Sequence, residues 1–108
     1  MQDFMIVFVT AGSRDEAEKI ARRLIDSHAA ACVNIVPSIV SIYAWQGETH
    51  RDEESLLIIK STGALFPRVR EIVESLHSYE VPEVIGLSLS VVSDAYRSYL
   101  ETFFGGRR

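Results

Sequence analysis

Ala30-Ala31-Cys32-Val33-Asn34-Ile35-Val36-Pro37, continued through Tyr43-Ala44-Trp45 and answered by Leu56-Leu57-Ile58-Ile59-Lys60, is the stretch that decides the fold. Both arms are dense in β-branched and aromatic residues, which suit a pleated, half-buried surface. Gln46-Gly47-Glu48 supplies a turn between them, so the arms predict a long two-stranded ribbon. Pro37-Ser38 interrupts the first arm, and a proline, having no N–H to give the ladder, belongs at an edge or a bulge. A ribbon this long outreaches the domain that carries it, so part of it is expected to meet something else.

On the N-terminal side, Phe4-Met5-Ile6-Val7-Phe8-Val9-Thr10 is apolar at consecutive positions, which predicts a strand covered on both faces. Ala11-Gly12 breaks it. Ser13 followed by Glu16 has capping-box spacing and places a helix start at Ser13. Ala17, Ile20, Ala21, Leu24 and Ile25 then share one helical face, with Asp15, Glu16 and Glu18 early and Arg22 and Arg23 late, as the helix dipole favours.

On the C-terminal side, Ser61-Thr62-Gly63 is a break before a second helix, with Pro67 in its first turn and Leu65, Phe66, Val69, Ile72, Val73 and Leu76 as its buried stripe. His77-Ser78-Tyr79-Glu80-Val81-Pro82-Glu83 is a connecting loop, because Pro82 breaks a helix and biases Val81 to an extended conformation. Val84 to Val91 alternates large apolar with mostly small residues and predicts a strand. Ser93-Asp94 caps a last helix, with Tyr96, Tyr99, Leu100 and Phe103 inward and Gly105-Gly106 ending it.

The order β-α-β-β-α-β plus a C-terminal helix predicts an α+β, ferredoxin-like split βαβ sandwich occupying residues 1–108 as one domain. Its sheet is antiparallel in the order 4-1-3-2. The two fully apolar strands, first and third, fall in the centre, and the proline-broken second strand at an edge. The face away from the helices is too apolar to stay wet, so another subunit is expected to cover it.

The formal charge of −4 leaves no basic face to displace counterions from phosphates, which excludes a nucleic-acid binder, and Arg107-Arg108 is too short to change this. Met1-Gln2-Asp3 is no basic signal-peptide opening, and Phe4 to Val9 is too short to span a membrane. One cysteine closes no intrachain disulfide. A cytosolic protein is expected.

No Gly-x-Ser-x-Gly, phosphate-binding glycine loop or Cys-x-x-Cys is present, and no enzyme is read from the chain. Cys32 offers a thiolate suited to Cu(I) or Zn(II), or acts as a small buried hydrophobe. His28 ends the first helix as a solvated cation site, and His50 falls in a solvated turn beside Arg51, Asp52 and Glu53. The loop at 77–83 gathers the imidazole of His77, the phenol of Tyr79 and the carboxylates of Glu80 and Glu83. They either carry function or anchor the loop. Tyr43, Trp45 and Lys60 on the ribbon face the same cleft in this reading, with Trp45 alternatively an interface anchor.

Ala30-Ala31-Cys32-Val33-Asn34-Ile35, Ser41-Ile42-Tyr43-x-Trp45-x-Gly47, Leu57-Ile58-Ile59-Lys60 and His77-x-Tyr79-Glu80-Val81-Pro82-Glu83 together resemble the CutA-type divalent-cation-tolerance proteins over almost the whole chain. The resemblance implies a compact cytosolic homotrimer whose ribbons pair edge to edge, with a role in divalent-metal tolerance and copper binding. It makes His77 and Cys32 the soft candidate ligands and Glu80 and Glu83 the hard ones, with Tyr43, Trp45, Lys60 and Tyr79 in an inter-subunit cleft. Two departures from the family pattern stand out. Ser78 replaces a frequent proline, and Val9 and Leu76 stand where some members carry a cysteine and a histidine. The alternative from another class is a signalling or scaffold trimer resembling the PII-type regulators, binding a metabolite and a partner protein.

Overall fold

A computed structural model describes residues 3–105. The elements are β1 (Phe4–Ala11), α1 (Arg14–Asp26), β2 (Cys32–Trp45), β3 (Glu48–Thr62), α2 (Phe66–Leu76), β4 (Val84–Ser88) and α3 (Asp94–Gly105). The sheet runs β2-β3-β1-β4 with every pair antiparallel, the expected 4-1-3-2 order read from the other edge. The helix-ending role of Gly106 and the pair Arg107-Arg108 lie outside the described residues, as do Met1 and Gln2.

Strand alternation assigns the two faces of the sheet. Val7, Val9 and Ala11 of β1 and Leu57 and Ile59 of β3 point to the helices, where they pack with Ile20 and Leu24 of α1 and Val69, Ile72 and Val73 of α2. α1 begins as its sequence dictates, with the Ser13 hydroxyl accepting the Glu16 N–H at 3.1 Å. Only half of the capping box forms, because the Glu16 carboxylate turns away to Ser78. Pro67 sits in the first turn of α2, where its missing N–H costs nothing.

β1 ends its pairing with β3 at Ala11 opposite Ser55. Ile39–Trp45 and Glu48–Glu54 therefore continue as a two-stranded ribbon with no third strand beside them among the described residues. The Pro37-Ser38 interruption is a bulge between Val36 and Ile39, with Ser38 at a φ of +62°. At the tip, Trp45 pairs with Glu48, and Gln46 and Gly47 both have positive φ, the signature of a two-residue type I′ hairpin. The turn is thus tighter than expected, and His50 is corrected from a turn to a strand position paired with Tyr43.

The opposite face of the sheet is open over its middle and closed at one end. Phe4 is covered there by α3, through Leu100 and Phe104. Tyr96 and Tyr99, expected inward, stay 38% and 45% exposed at the margin of the helix contact, while Phe104 takes the buried position. Their helix rests on a narrow strip around Phe4 and Ala31, so one apolar turn side is enough. β4 stops at Ser88 rather than Val91, with Leu89 dropping into the α3 cluster. Its large residues Ile85 and Leu87 are 55% and 60% exposed beside Phe8 and Ile6, while Gly86 abuts Met5 and Phe66.

Candidate functional site

The site is a groove where the sheet hands over to the ribbon. Glu54 precedes Ser55, the last β3 residue paired with β1, and its side chain is only 7% exposed. The 77–83 loop returns over the same point. Thr10, Val40, Ile42, Tyr43, Trp45, Glu54, Tyr79, Glu80, Val81 and Glu83 are among the residues lining a cavity of about 730 Å³. Among the described residues, the charged ones in its lining are all acidic.

The loop is held by three separate contacts. His77 is fully buried, and its Nε2 lies 2.6 Å from the Thr10 carbonyl oxygen while its Nδ1 accepts the Tyr79 N–H at 3.0 Å. These partners fix the tautomer, with the proton on Nε2 donated to the carbonyl. The Ser78 N–H and hydroxyl both donate to the Glu16 carboxylate, at 2.7 and 3.0 Å. Tyr79 donates its hydroxyl to Glu54 Oε2 at 2.6 Å, lying over Gly12 so closely that an added Cβ would stand 3.2 Å from its oxygen. Serine in place of proline thus gives this loop an N–H that proline lacks, and Glu16 in the first turn of α1 receives it.

On the ribbon, Tyr43 donates its hydroxyl to Asp52 and stacks on His50, with ring centres 5.5 Å apart. The bond to Asp52, followed by burial and the carboxylate charges of Asp52 and Glu54, raises the Tyr43 pKa. Tyr79 is raised further, by burial first and then by its bond to Glu54. Both phenols are donors held protonated by carboxylates, which suits them to binding rather than to proton abstraction.

The sequence-derived candidates divide into two places. Tyr43, Trp45, Tyr79, Glu80 and Glu83 line the groove. Cys32 and Lys60 do not: they pair across β2 and β3 far down the sheet, beyond the ribbon. There Lys60 Nζ lies 3.9 Å from Cys32 Sγ and donates to Asn34 Oδ1. Lys60 does not line this groove for a reason of register, since its strand partners are Cys32 and Ile6. His77 abuts the groove from behind, with both ring nitrogens engaged in hydrogen bonds. Cys32, His77, Glu80 and Glu83 are not brought together, and no three His, Cys, Asp or Glu side chains converge into a metal-ligand cluster among the described residues. The group that sequence reasoning missed is Glu54. A carboxylate immediately before the buried Ser55-Leu56-Leu57 run, two residues from Asp52, was the signal that would have found it.

The sequence matches the family described as CutA1 divalent ion tolerance protein over residues 5–102. It is 44% identical over 96 residues to the divalent-cation tolerance protein CutA of Thermus thermophilus, covering 89% of this chain and 90% of that protein. It is 42% identical to the chloroplastic protein CutA of Arabidopsis thaliana over 90% of its own length, but spans only 53% of that longer relative. The fold superposes on the crystal structure of CutA1 from Oryza sativa with a TM-score of 0.90 at 37% identity, covering 94% of each chain.

Proposed function

This chain belongs to the CutA1 divalent ion tolerance family, and from that premise we propose that it serves in divalent metal ion tolerance as a non-enzymatic cytosolic homotrimer. One observation carries the assembly: the helix-free face presents Ile85 and Leu87 more than half exposed, and the ribbon presents Val40 and Ile42 at 49% and 69%. Apolar side chains concentrated on one sheet face and one ribbon edge are a surface that association buries. Ribbon edges bent by the Pro37-Ser38 bulge then pair between subunits.

The residues of one protomer do not fit a resident copper ion. Cys32 faces the Lys60 ammonium, and a metal at His77 has to displace either the Thr10 carbonyl or the Tyr79 N–H. Glu80 and Glu83, exposed on the groove rim, are the groups placed to meet a divalent cation, with further ligands coming from an adjoining subunit.

The deciding measurement is the solution mass by light scattering. Three chains per particle support the proposal, and Ile85→Asp, which puts a charge on the exposed patch, is expected to give monomers. A monomeric parent chain refutes it. Copper titration calorimetry on Cys32→Ala and His77→Ala checks the soft ligands, and unchanged affinity in both removes them from the metal role.

A further inference from the structure

We propose that the small cavity between the start of α1 and the Pro37-Ser38 bulge binds a small zwitterion, a free α-amino acid of a few heavy atoms. The inference goes beyond metal tolerance and uses neither Glu80 nor Glu83.

The cavity holds about 210 Å³, below the range of about 300–1,000 Å³ that drug-sized ligands occupy, and its lining includes Ser13, Arg14, Ser38, Glu53 and Ser55. Register places it. Ser55 pairs with Ala11, the last residue of β1, and the chain then turns into α1. Strand alternation puts the Ser55 side chain on the face of Leu57 and Ile59, which pack on the helices. Glu54 leaves on the opposite face, where Tyr79 holds its carboxylate.

Ser55 is the group that calls for a ligand. It is only 3% exposed, yet its hydroxyl has no hydrogen-bond partner among the described residues. Ser61, as deeply buried on the same face of β3, donates to the Ala29 carbonyl at 2.6 Å. Among the described residues no fully enclosed polar side-chain atom lacks a partner, so the Ser55 hydroxyl is one that the cavity reaches. A buried hydroxyl left unbonded costs free energy that a polar ligand atom removes.

The start of α1 and the rim select the charges. Ser13 receives the N–H of Glu16 on its hydroxyl and that of Ala17 on its carbonyl. The N–H groups of Arg14 and Asp15 are left with no partner within the helix, and with the Arg14 guanidinium they suit a carboxylate. Glu53, exposed two residues before Ser55, repels a doubly charged anion and attracts an ammonium group. A small molecule carrying one carboxylate and one ammonium group answers both.

In the proposed trimer the open face and the apolar ribbon edge meet neighbours, whereas Ser55 and the first turn of α1 belong to the helix side. Pro37 has no N–H and the bulge breaks the ladder between Val36 and Ile39, so edge pairing between subunits passes on either side of the cavity.

The test is amide NMR on the full chain in its native oligomeric state, titrated with free alanine, propionate, ethylammonium or inorganic phosphate. Free alanine is expected to shift the amides of Ser13, Arg14 and Ser55 at millimolar concentration. Propionate and ethylammonium should each bind at least about tenfold more weakly, the loss set by one charge-assisted hydrogen bond. Glu53→Gln is expected to weaken the amino acid about tenfold, and Ser55→Ala about threefold or more, with no loss of stability to denaturant. Propionate, ethylammonium or phosphate binding as tightly as the amino acid overturns the proposal, as does undiminished binding in either variant. Destabilisation by Ser55→Ala overturns it too, because the hydroxyl then has a structural partner. Unmoved amides in the native oligomer overturn it, since a neighbouring subunit that fills the cavity shuts the ligand out. The two readings fail separately: a monomer that binds the amino acid refutes the trimer only, and a trimer that does not bind it refutes the cavity only.

Discussion

Replacing Gly12 by alanine adds one methyl group where the loop tyrosine presses closest on the end of β1. The new Cβ would stand 3.2 Å from Tyr79 Oη, 3.5 Å from Cε1 and 3.7 Å from Cζ. Gly12 has no positive φ, so the backbone accepts alanine and the contact alone decides the outcome. The two carbon contacts are ordinary; the oxygen has to retreat by a few tenths of an ångström. Retreat stretches its 2.6 Å bond to the buried Glu54. A hydrogen bond to a charged acceptor contributes about 1.5–3 kcal/mol, and groove water recovers part of it, leaving a loss of about 1–2 kcal/mol. Alanine also restricts the unfolded chain, offsetting about 0.4–1 kcal/mol. The net expectation is a destabilisation of about 0.5–1.5 kcal/mol. Denaturant unfolding of the parent, Gly12→Ala, Tyr79→Phe and the double variant forms a cycle. Without the hydroxyl the closest atom is gone, so Gly12→Ala in the phenylalanine background should be neutral or stabilising. The cycle should then show a coupling of about 1–2 kcal/mol. The same effect in both backgrounds, a coupling below about 0.3 kcal/mol, refutes the claim that the methyl group acts through the Tyr79–Glu54 bond.

Gly86→Ala sets a Cβ 3.0 Å from Met5 Sδ and 3.4 Å from the Phe66 ring, and should cost about 1–2 kcal/mol in denaturant unfolding, eased by Met5→Ala. Ser13→Ala removes the acceptor for the Glu16 N–H and should lower stability by about 1 kcal/mol, read as a drop of several degrees in Tm. Tyr43, Tyr79 and Tyr96 all have raised pKa values, so above pH ~10 the unfolded chain releases phenolic protons that the folded chain keeps. Stability is therefore intact below that pH and declines as pH climbs past it; Tyr79→Phe should flatten the decline, measured by unfolding titrations across the alkaline range.

The ribbon, both central strands and the first two helices were readable because each rests on a local pattern. Unbroken apolar runs, a capping serine and a proline at a bulge declare themselves without knowledge of the rest of the chain. What escaped depends on register and on the third dimension. Tyr43 and Lys60 lie on the consecutive strands β2 and β3, but only the pairing shows that Lys60 faces Cys32 and Ile6 rather than the groove. His77 reads in the sequence either as a ligand or as a loop anchor, and the Thr10 carbonyl that engages it comes from a strand distant in the chain. Tyr96 and Tyr99 fit a helical stripe, yet Leu100 and Phe104 take the centre of the strip beneath α3, and Tyr99 reaches only its margin, where its hydroxyl donates to the Ala31 carbonyl. Nothing local sets Glu54 apart from the acids before it, because its burial follows from where the pairing with β1 ends.

The Gln46-Gly47 turn also fixes a timetable for folding. It joins strands through the shortest connection a hairpin allows, whereas β1 must find β4 across the whole span from Val9 to Val84. Loop-closure entropy grows with that span, and hairpins of the first kind close in about 1–10 μs. The ribbon therefore zips early, and β4 docks on β1 late. Substitutions at the two places should separate on a chevron plot: Gly47→Val, which strains a φ of +81°, should slow refolding, and Gly86→Ala should chiefly quicken unfolding.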